Sequence, residues 1–576
     1  MKVSSCLSFL AVALASASAL DRTLWGINYD TRTREEGGCK DQATIDADLK
    51  TLKTVTNVVR LYSMKEPCAD RVLKAAKTLG LKVWIGTWSE VGGGKVVDTF
   101  QNDFKTLQTL VKSGAITNQN IAGIQVSSEA LFRYYINGGL GVADPTNPSG
   151  VDAMIAHLNE MRTYLRQNKL DFPVTIADVM DIYNNYPQLY SAVDCVSVNQ
   201  FSMWENVEPV NGAFTMWQHW QKVAQQAKAA GKPMLMSETG WSSAGNNSAI
   251  KEASPNAERI FTTDFLTIAE QMQMNYFYFA SFDLGFSNNT IEKNFGIFGL
   301  DRTMKAPITA SNVGPAPVAV RLFAGNKVLK ADGYLTNSYT RLTMDTPNTG
   351  LAGNLDSEIW FWDAARKVLR SKAANQCLDS YGSNDWQNVH LWNCDYTNPN
   401  QKWTIADGAV KTQNGANFCM DSDPTMTYED GKQKVQMWWC WNGPNQKISM
   451  RPINAEPTKI KLSTGAFLSA SGSAVSTAAT ATNWFYDPMT QTLATKDKTC
   501  LDLATNARNT PVTATACKAG AASQKWQYND VTGQFNHGSV LSLCLAGSSS
   551  ADVIVQLCDK SDVKQQWTLA LINPSA

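Results

Sequence analysis

Eight short apolar, β-rich runs alternate with helix-patterned stretches between Trp25 and Phe282, and this alternation limits the possible folds more than any other feature. The runs are WGINY at 25–29, NVVRLYS at 57–63, KVWIGTWS at 82–89 and IAGIQVSSE at 121–129. They continue with FPVTIADV at 172–179, DCVSVNQFS at 194–202, KPMLMSETG at 232–240 and NYFYFASF at 275–282. Helical periodicity marks 41–54, 68–79, 100–113, 151–169, 214–231 and 255–273 between them. Near-continuous apolar strands alternating with helices imply a parallel sheet covered by those helices. Eight such units over about 260 residues predict a (β/α)8 barrel. A doubly wound open sheet is the alternative, weakened because no Gly-rich phosphate turn follows the first run.

After about residue 310 the character changes: turn residues and short strands dominate, and the chain repeats itself. One copy reads CLDSYGSNDWQNVHLWNC with NQKW at 400–403, and the next has CMDSD, VQMWWC and NQKI. Later copies run from CLDLATNARNTPVTATAC to SQKW at 523–526, and from LCLAGSSS through VQLC to QQW at 565–567. IWFWDAARKVLRS at 359–371 also resembles NWFYDPMTQTLAT at 483–495, which makes six units, the first and fourth without cysteines. Units of about forty residues cannot bury a face alone and must stack on their neighbours.

The first twenty residues and the cysteines point to export. Lys2, an apolar stretch from Leu7 to Leu14 and Ala17-Ser18-Ala19 read as a secretory signal over 1–20. Of twelve cysteines Cys6 falls in that segment. Eight others form close pairs, Cys377/Cys394, Cys419/Cys440, Cys500/Cys517 and Cys544/Cys558, which read as local disulfide loops in an exported chain. Cys39 and Cys68 supply a fifth bridge, leaving Cys195 as a buried thiol. The spacings lack zinc-site character, and with four histidines in the chain no metal is expected. The 51 basic and 51 acidic residues balance, so neither nucleic acid nor an anionic membrane is an expected partner. No later stretch has the eighteen apolar residues of a membrane span. Sequons at Asn246 and Asn288 permit N-glycosylation.

The C-L-D, second cysteine and Q-x-W pattern resembles the ricin-B-type lectin repeat. Three such repeats make one β-trefoil in that family, so the resemblance implies two, over 318–452 and 455–573, joined to a barrel at 21–308 by a linker at 309–317. Its Q-x-W tryptophans are expected in the core. Its sugar contacts carry over to Asp379, His390, Trp392 and Asn400 in the first cysteine-bearing repeat, and to Asp421, Gln436, Trp438 and Asn445 in the next. Carboxylate and amide groups bond sugar hydroxyls while an indole covers the apolar face of the ring. Thr515, Gln556 and Ala546 break the pattern in the last two units, so the second trefoil is expected to be degenerate and structural.

Barrel active sites sit at the C-terminal ends of the strands, where this sequence places Asp30, Glu90, Glu129, Asp178, Glu238 and Asp283. Hydrolysis of a glycosidic bond with retention needs two close carboxyls, one protonated and one ionised. Glu129 ends the fourth run and Glu238 the seventh, each after a serine. GINYD at 26–30, VVRLYS at 58–63, VSSEALFRY at 126–134, SETGWSS at 237–243 and EKNFGIFGLD at 292–301 are together similar to glycoside hydrolase family seventeen, the β-1,3-glucanases, in their fungal or oomycete form. The resemblance implies Glu129 as acid/base and Glu238 as nucleophile, with Tyr29, Arg60, Tyr62, Asn199, Phe201, Trp204 and Trp241 at the substrate. It implies a secreted or cell-wall enzyme without a cofactor, acting on β-glucan, endo rather than exo, and held on carbohydrate by its lectin repeats. Three features differ among relatives: Ser128 stands where many carry Asn and fungal members also carry Ser, Phe201 stands where plant members carry Tyr, and FDLGFS at 282–287 stands where relatives often have an additional Glu and Lys. Those departures touch the subsites and leave two alternatives: a transglycosylase using the same glutamates, and a carbohydrate-binding protein with an inactive barrel.

Overall fold

The computed structural model describes residues 20–571 except 21, 36, 66, 92–98, 138–147, 306–307, 309–316, 333–339, 349–354, 381–388, 415–416, 454–456, 488–489 and 549–550. The expected leader over 1–20 and linker over 309–317 lie almost wholly outside the described residues. Eight strands close into a parallel barrel in chain order: β1 (Gly26–Asn28), β2 (Val58–Arg60), β3 (Lys82–Gly86), β4 (Ile121–Ser128), β5 (Val174–Val179), β6 (Val196–Asn199), β7 (Met234–Thr239) and β8 (Asn275–Tyr278). Closure is made by β1, which pairs Ile27 with Val59 on one side and Gly26 with Phe277 on the other. The open-sheet alternative is therefore excluded.

Several strands are shorter than their apolar runs. β2 covers three of the seven residues of NVVRLYS, and β8 stops four residues before Phe282. The remaining apolar residues line the rim, where the chain has left the ladder but still packs inward. Helices follow their caps. Asp41 accepts the Thr44 N–H at 2.7 Å to open Gln42–Leu52, and Ser254 accepts that of Ala257 at 3.1 Å to open Pro255–Gln271. Pro209 begins Pro209–Ala229 five residues before the periodic stretch, its fixed φ suiting a first helical position. Two short helices between β5 and β6, Met180–Asn185 and Gln188–Ala192, are too brief to show a period in the sequence.

The rest of the chain forms two strand assemblies of one design, spanning Val318–Pro452 and Thr458–Leu571, each an eight-stranded and a four-stranded sheet connected in the same order. Trp403, Trp526 and Trp567 of the Q-x-W turns are fully buried. Trp360 and Trp484, from the duplicated WFWD and WFYD segments, are buried in the same way. Each of the five indoles donates to a leucine carbonyl, at 2.9 Å for Trp567 to Leu545 and 3.2 Å for Trp360 to Leu329. A large apolar ring with one satisfied donor fills a trefoil core without stranding a polar group. Disulfides join Cys39–Cys68, Cys377–Cys394, Cys419–Cys440, Cys500–Cys517 and Cys544–Cys558, and Cys195 is a buried free thiol.

The second assembly closes the floor of the barrel. Trp25, Trp84, Ala122, Cys195, Leu235 and Phe277 gather at the strand starts, and Leu541 completes their cluster from across the interface. Phe277 meets Trp25 and Trp84 edge-on at 5.1 and 5.5 Å. Gly26 permits this, since a Cβ there would lie 2.4 Å from the Phe277 ring. Arg508 pairs with Asp171 at 2.6 Å, and Asn275 bonds Gln527 at 3.1 Å. Burial at this junction lowers Lys82 to about 8 and, together with the charge of Lys82, lowers His537 to about 3. Leu541 of the last unit thus packs into the apolar cluster at the barrel floor. Leu541→Ala is expected to cost about 2–5 kcal/mol, as other buried leucine truncations do. Thermal unfolding followed by tryptophan fluorescence checks this: a single transition at lower Tm is expected, whereas an unchanged Tm would contradict it.

Candidate active site

Four of the six acidic residues at the strand ends are held by local partners. Asp30 pairs with Arg32 at 2.6 Å, Glu90 with Arg133 at 2.7 Å and Asp283 with Lys305 at 2.8 Å. Asp178 accepts the backbone N–H of Leu131 at 2.9 Å and of Phe132 at 3.2 Å, fixing the turn that follows β4. Burial, then the charge of Glu129, raise Asp178 to about 7. These are supports for loops and for the segment behind the acid/base candidate.

Glu129 and Glu238 are arranged differently. Glu238 leaves β7 pointing inward, and its Oε1 accepts from Arg60 Nη1 at 2.8 Å and from Ser128 Oγ at 3.2 Å. Arg60 is fully buried. Its Nη1 also donates to Asn28 Oδ1 at 2.7 Å, its Nε to Gln125 Oε1 at 3.3 Å and its Nη2 to Ser128 Oγ at 3.3 Å. Asn28 is tied in turn to the Ser237 carbonyl at 3.0 Å. A planar guanidinium can satisfy several acceptors on different strands at once, which fixes the carboxylate it pairs with.

Glu129 terminates β4 in the left-handed region, at φ 56°. A non-glycine residue held there is mildly strained, and its N–H is anchored on the Ala177 carbonyl at 2.9 Å. The turn points the side chain across the mouth to Asn199, whose Nδ2 donates to Oε1 at 2.8 Å. Ser237 Oγ donates to Asn199 Oδ1 at 2.6 Å, so the amide can present only its N–H to Glu129. Burial first, and the charge of Glu238 second, raise the Glu129 carboxyl, while the Asn199 hydrogen bond opposes them. One carboxyl is paired with a buried cation, and the other is raised by burial and by its neighbour.

Of the other residues singled out from the sequence, Tyr62 borders the pair. Its ring lies 4.7 Å below the Arg60 guanidinium, and its buried hydroxyl has no hydrogen-bond partner among the described residues. Phe201 packs edge-on against Phe279 at 5.3 Å and Phe295 at 5.7 Å, half-buried beside Trp204 on the rim. Two expectations are corrected. The Tyr29 hydroxyl is spent on Asp48 at 2.8 Å and the residue is 1% exposed, so it braces the wall behind the mouth. Trp241 is fully buried, bonded to the Glu252 carbonyl at 2.9 Å and packed on Phe261, which makes it core. The sequence reading did not single out Asn28, Gln125 or Glu292. Burial and the charges of Glu238 and Glu129 raise Glu292 to about 7, which places a third carboxyl within electrostatic reach of the pair. Its only signal in the sequence was its place in EKNFGIFGLD.

Residues 26–296 match the BtgE/BtgC glycoside hydrolase domain. The barrel is a glycoside hydrolase domain of that type. Residues 333–448, 365–481 and 469–567 match the ricin-type β-trefoil lectin domain, which covers both strand assemblies. The chain is 28% identical over 232 residues to the Aspergillus niger protein named glucan endo-1,3-beta-glucosidase btgC, a match covering 40% of this chain and 31% of that one. It therefore spans about a third of the length of that relative. It is 25% identical over 328 residues to an Arthroderma benhamiae protein named glucan 1,3-beta-glucosidase, covering 53% of this chain and 96% of that one. A solved glycoside hydrolase family 17 β-1,3-glucanosyltransferase from Rhizomucor miehei aligns at 28% identity and a TM-score of 0.42, over 50% of this chain and 97% of that one.

In the lectin-type repeats the side chains converge in two places. Asp379 accepts from Gln401 Nε2 at 2.9 Å and lies 3.8 Å from His390 Nε2, beside Trp392, which is 37% exposed. The Asn400 side chain instead accepts from Asn414 at 3.3 Å. Asp421 faces Gln436 across its strand pair, with Trp438 two residues on and half-buried. Asn445 offers its backbone carbonyl to Ser422. In the fifth unit Thr515 and Gln524 both donate to Asp502, and Thr515 occupies the aromatic position, so no ring remains there to cover a sugar.

Proposed function

We propose that this protein is an exported retaining hydrolase of β-1,3-glucan, with a barrel over 21–308 and lectin-type assemblies over 318–452 and 455–573. The observation that carries the reading is the asymmetry between the carboxyls: Glu238 is fixed by Arg60 and Ser128, while Glu129 is raised by burial and by Glu238 itself. Glu238 attacks the anomeric carbon as protonated Glu129 delivers its proton to the departing glycosidic oxygen. Glu129, now ionised, takes a proton from water, which releases the sugar with its β configuration kept. The β-1,3-glucan assignment is supported by the names of the Aspergillus and Arthroderma relatives, and export by five disulfides in a chain of this size. The Asp379 and Asp421 clusters are proposed to hold carbohydrate and keep the barrel near its polymer.

Laminari-oligosaccharides followed by NMR test this. Shorter products released first as the β-anomer are expected. First release of the α-anomer, or no product, would overturn the reading, and products longer than the starting chain would identify transfer to sugar instead of water.

The pH profile carries a second expectation. Activity needs protonated Glu129, so kcat/KM falls as pH rises through the pKa of that group. The Asn199 amide favours the ionised form. Asn199→Ala removes that stabilisation, the carboxyl is held higher still, and the alkaline limb moves to higher pH. A limb that stays in place or moves to lower pH would show that another group sets it.

A further inference from the structure

Four of the lectin-type units carry a disulfide, and the backbone beyond its second cysteine is the same in all four. The N–H of Asp395, Trp441, Lys518 and Asp559 each donates to the glutamine of the next turn, Gln401, Gln446, Gln524 and Gln565, at 2.8 to 3.1 Å. The side chains are not the same. The second cysteine is flanked by Asn393 and Asp395, by Ala516 and Lys518, and by Leu557 and Asp559 in three units, but by Trp439 and Trp441 in the remaining one. The unit therefore folds with non-aromatic residues at these positions and has no structural need for aromatic ones.

Trp439 and Trp441 are nonetheless 53% and 56% exposed. Among the described residues, the exposed tryptophans are these two and Trp392, all in the first assembly. Both rings are backed by protein. Trp439 lies on Phe418 with ring centroids 4.8 Å apart and planes tilted by 31°, and Trp441 lies over Gly443, where a Cβ would sit 2.1 Å from the indole. Holding a ring in place before a ligand arrives reduces the ordering cost of binding. The surrounding groups are polar. Lys447 bonds the Asn442 amide oxygen, and Lys411 bonds that of Asn417 at 2.8 Å, all on the exposed surface. Strand alternation sets Trp439 on the opposite side from Gln436 and Trp438, hence away from the Asp421 cluster.

Two braced indoles ringed by amide and ammonium groups match a β-linked pyranose chain, whose ring faces present C–H bonds and whose edges present hydroxyls. We propose that Trp439 and Trp441 form a second sugar-binding platform, separate from the Asp421, Gln436 and Trp438 cluster, that docks a β-1,3-glucan chain by stacking. The choice of β-1,3-glucan rests on the activity proposed for the barrel; the platform itself does not.

The test uses the full chain carrying Glu238→Ala, so that binding is measured without turnover, on insoluble β-1,3-glucan, cellulose and chitin. Adding W439A and W441A together is expected to weaken retention on β-1,3-glucan about tenfold or more, as removal of buried aromatic anchors does elsewhere. The same two substitutions in the active protein should leave Tm and kcat/KM on short soluble oligosaccharides unchanged, which shows that the fold survives. Unchanged retention in the doubly substituted chain would overturn the platform, as would absence of retention on all three polymers. Trp-dependent retention on cellulose or chitin alone would overturn the β-1,3-glucan assignment. If the wild-type barrel turns over no β-1,3-glucan while Trp-dependent retention persists, the activity reading falls and the platform stands.

Discussion

Replacing Glu238 by alanine is expected to lower kcat on laminari-oligosaccharides by on the order of 10⁴-fold or more, since removal of a nucleophile abolishes the covalent route altogether. Glu129→Ala is expected to behave differently, and the contrast separates the two roles. An aryl glucoside with an acidic leaving group needs no proton to depart, so Glu238 can still be glycosylated in that variant. Release of the sugar then lacks a base to activate water. The glycosyl-enzyme should accumulate and be visible as added mass on the intact protein, with turnover restored by an external nucleophile such as azide. Appreciable turnover in Glu238→Ala would refute its assignment. Equal loss with activated and unactivated leaving groups in Glu129→Ala would refute the acid/base role.

Arg60→Ala is expected to be the most damaging change outside the two glutamates. The guanidinium is fully buried and holds Glu238, Asn28, Gln125 and Ser128 from three different strands. Its loss leaves a buried carboxylate without a cation, which costs roughly 3–5 kcal/mol. Activity should fall as well, because Glu238 loses the group that aims it. Arg60→Lys should recover little of either, since one ammonium cannot meet four acceptors in a fixed plane. Arg60→Met combined with Glu238→Gln distinguishes the causes. With both charges gone, much of the stability should return while activity stays absent, giving a large favourable coupling in the cycle. A double variant as unstable as Arg60→Ala would mean that packing, and not the unpaired charge, is responsible.

The alternation of eight apolar runs with helical stretches was enough to specify a barrel, because a parallel strand buried on both faces writes a continuous apolar signature into the chain. The repeated C-L-D, cysteine and Q-x-W spacing likewise specified the repeat architecture, since each copy must contribute the same core ring and the same local bridge. Both are local patterns, and local patterns survive in a linear sequence. The strand ends were less legible: VVRLYS and NYFYFASF stay apolar past their last ladder bonds because the rim also packs inward.

At the site, Glu129 and Glu238 could be placed at strand ends from the sequence, but so could Asp30, Glu90, Asp178 and Asp283. The structure sorted them by partner: Arg32, Arg133 and Lys305 for three, and the backbone after β4 for Asp178. Tyr29 and Trp241 sit in motifs beside the mouth yet turn into the wall, since side-chain direction at a strand end depends on a bend that only the closed barrel imposes. The closing of the barrel floor by Leu541, more than 250 residues beyond β8, had no local signature at all.

The sequence by itself determined the eight barrel strands and the long helices between them, the repeats and the chemical types available at the rim. Tertiary structure alone decided which carboxyl is paired with a cation and which is raised. That difference arises from a cation 178 positions away in the chain for Glu238, and from burial and a neighbouring charge for Glu129, and neither exists until the strands close.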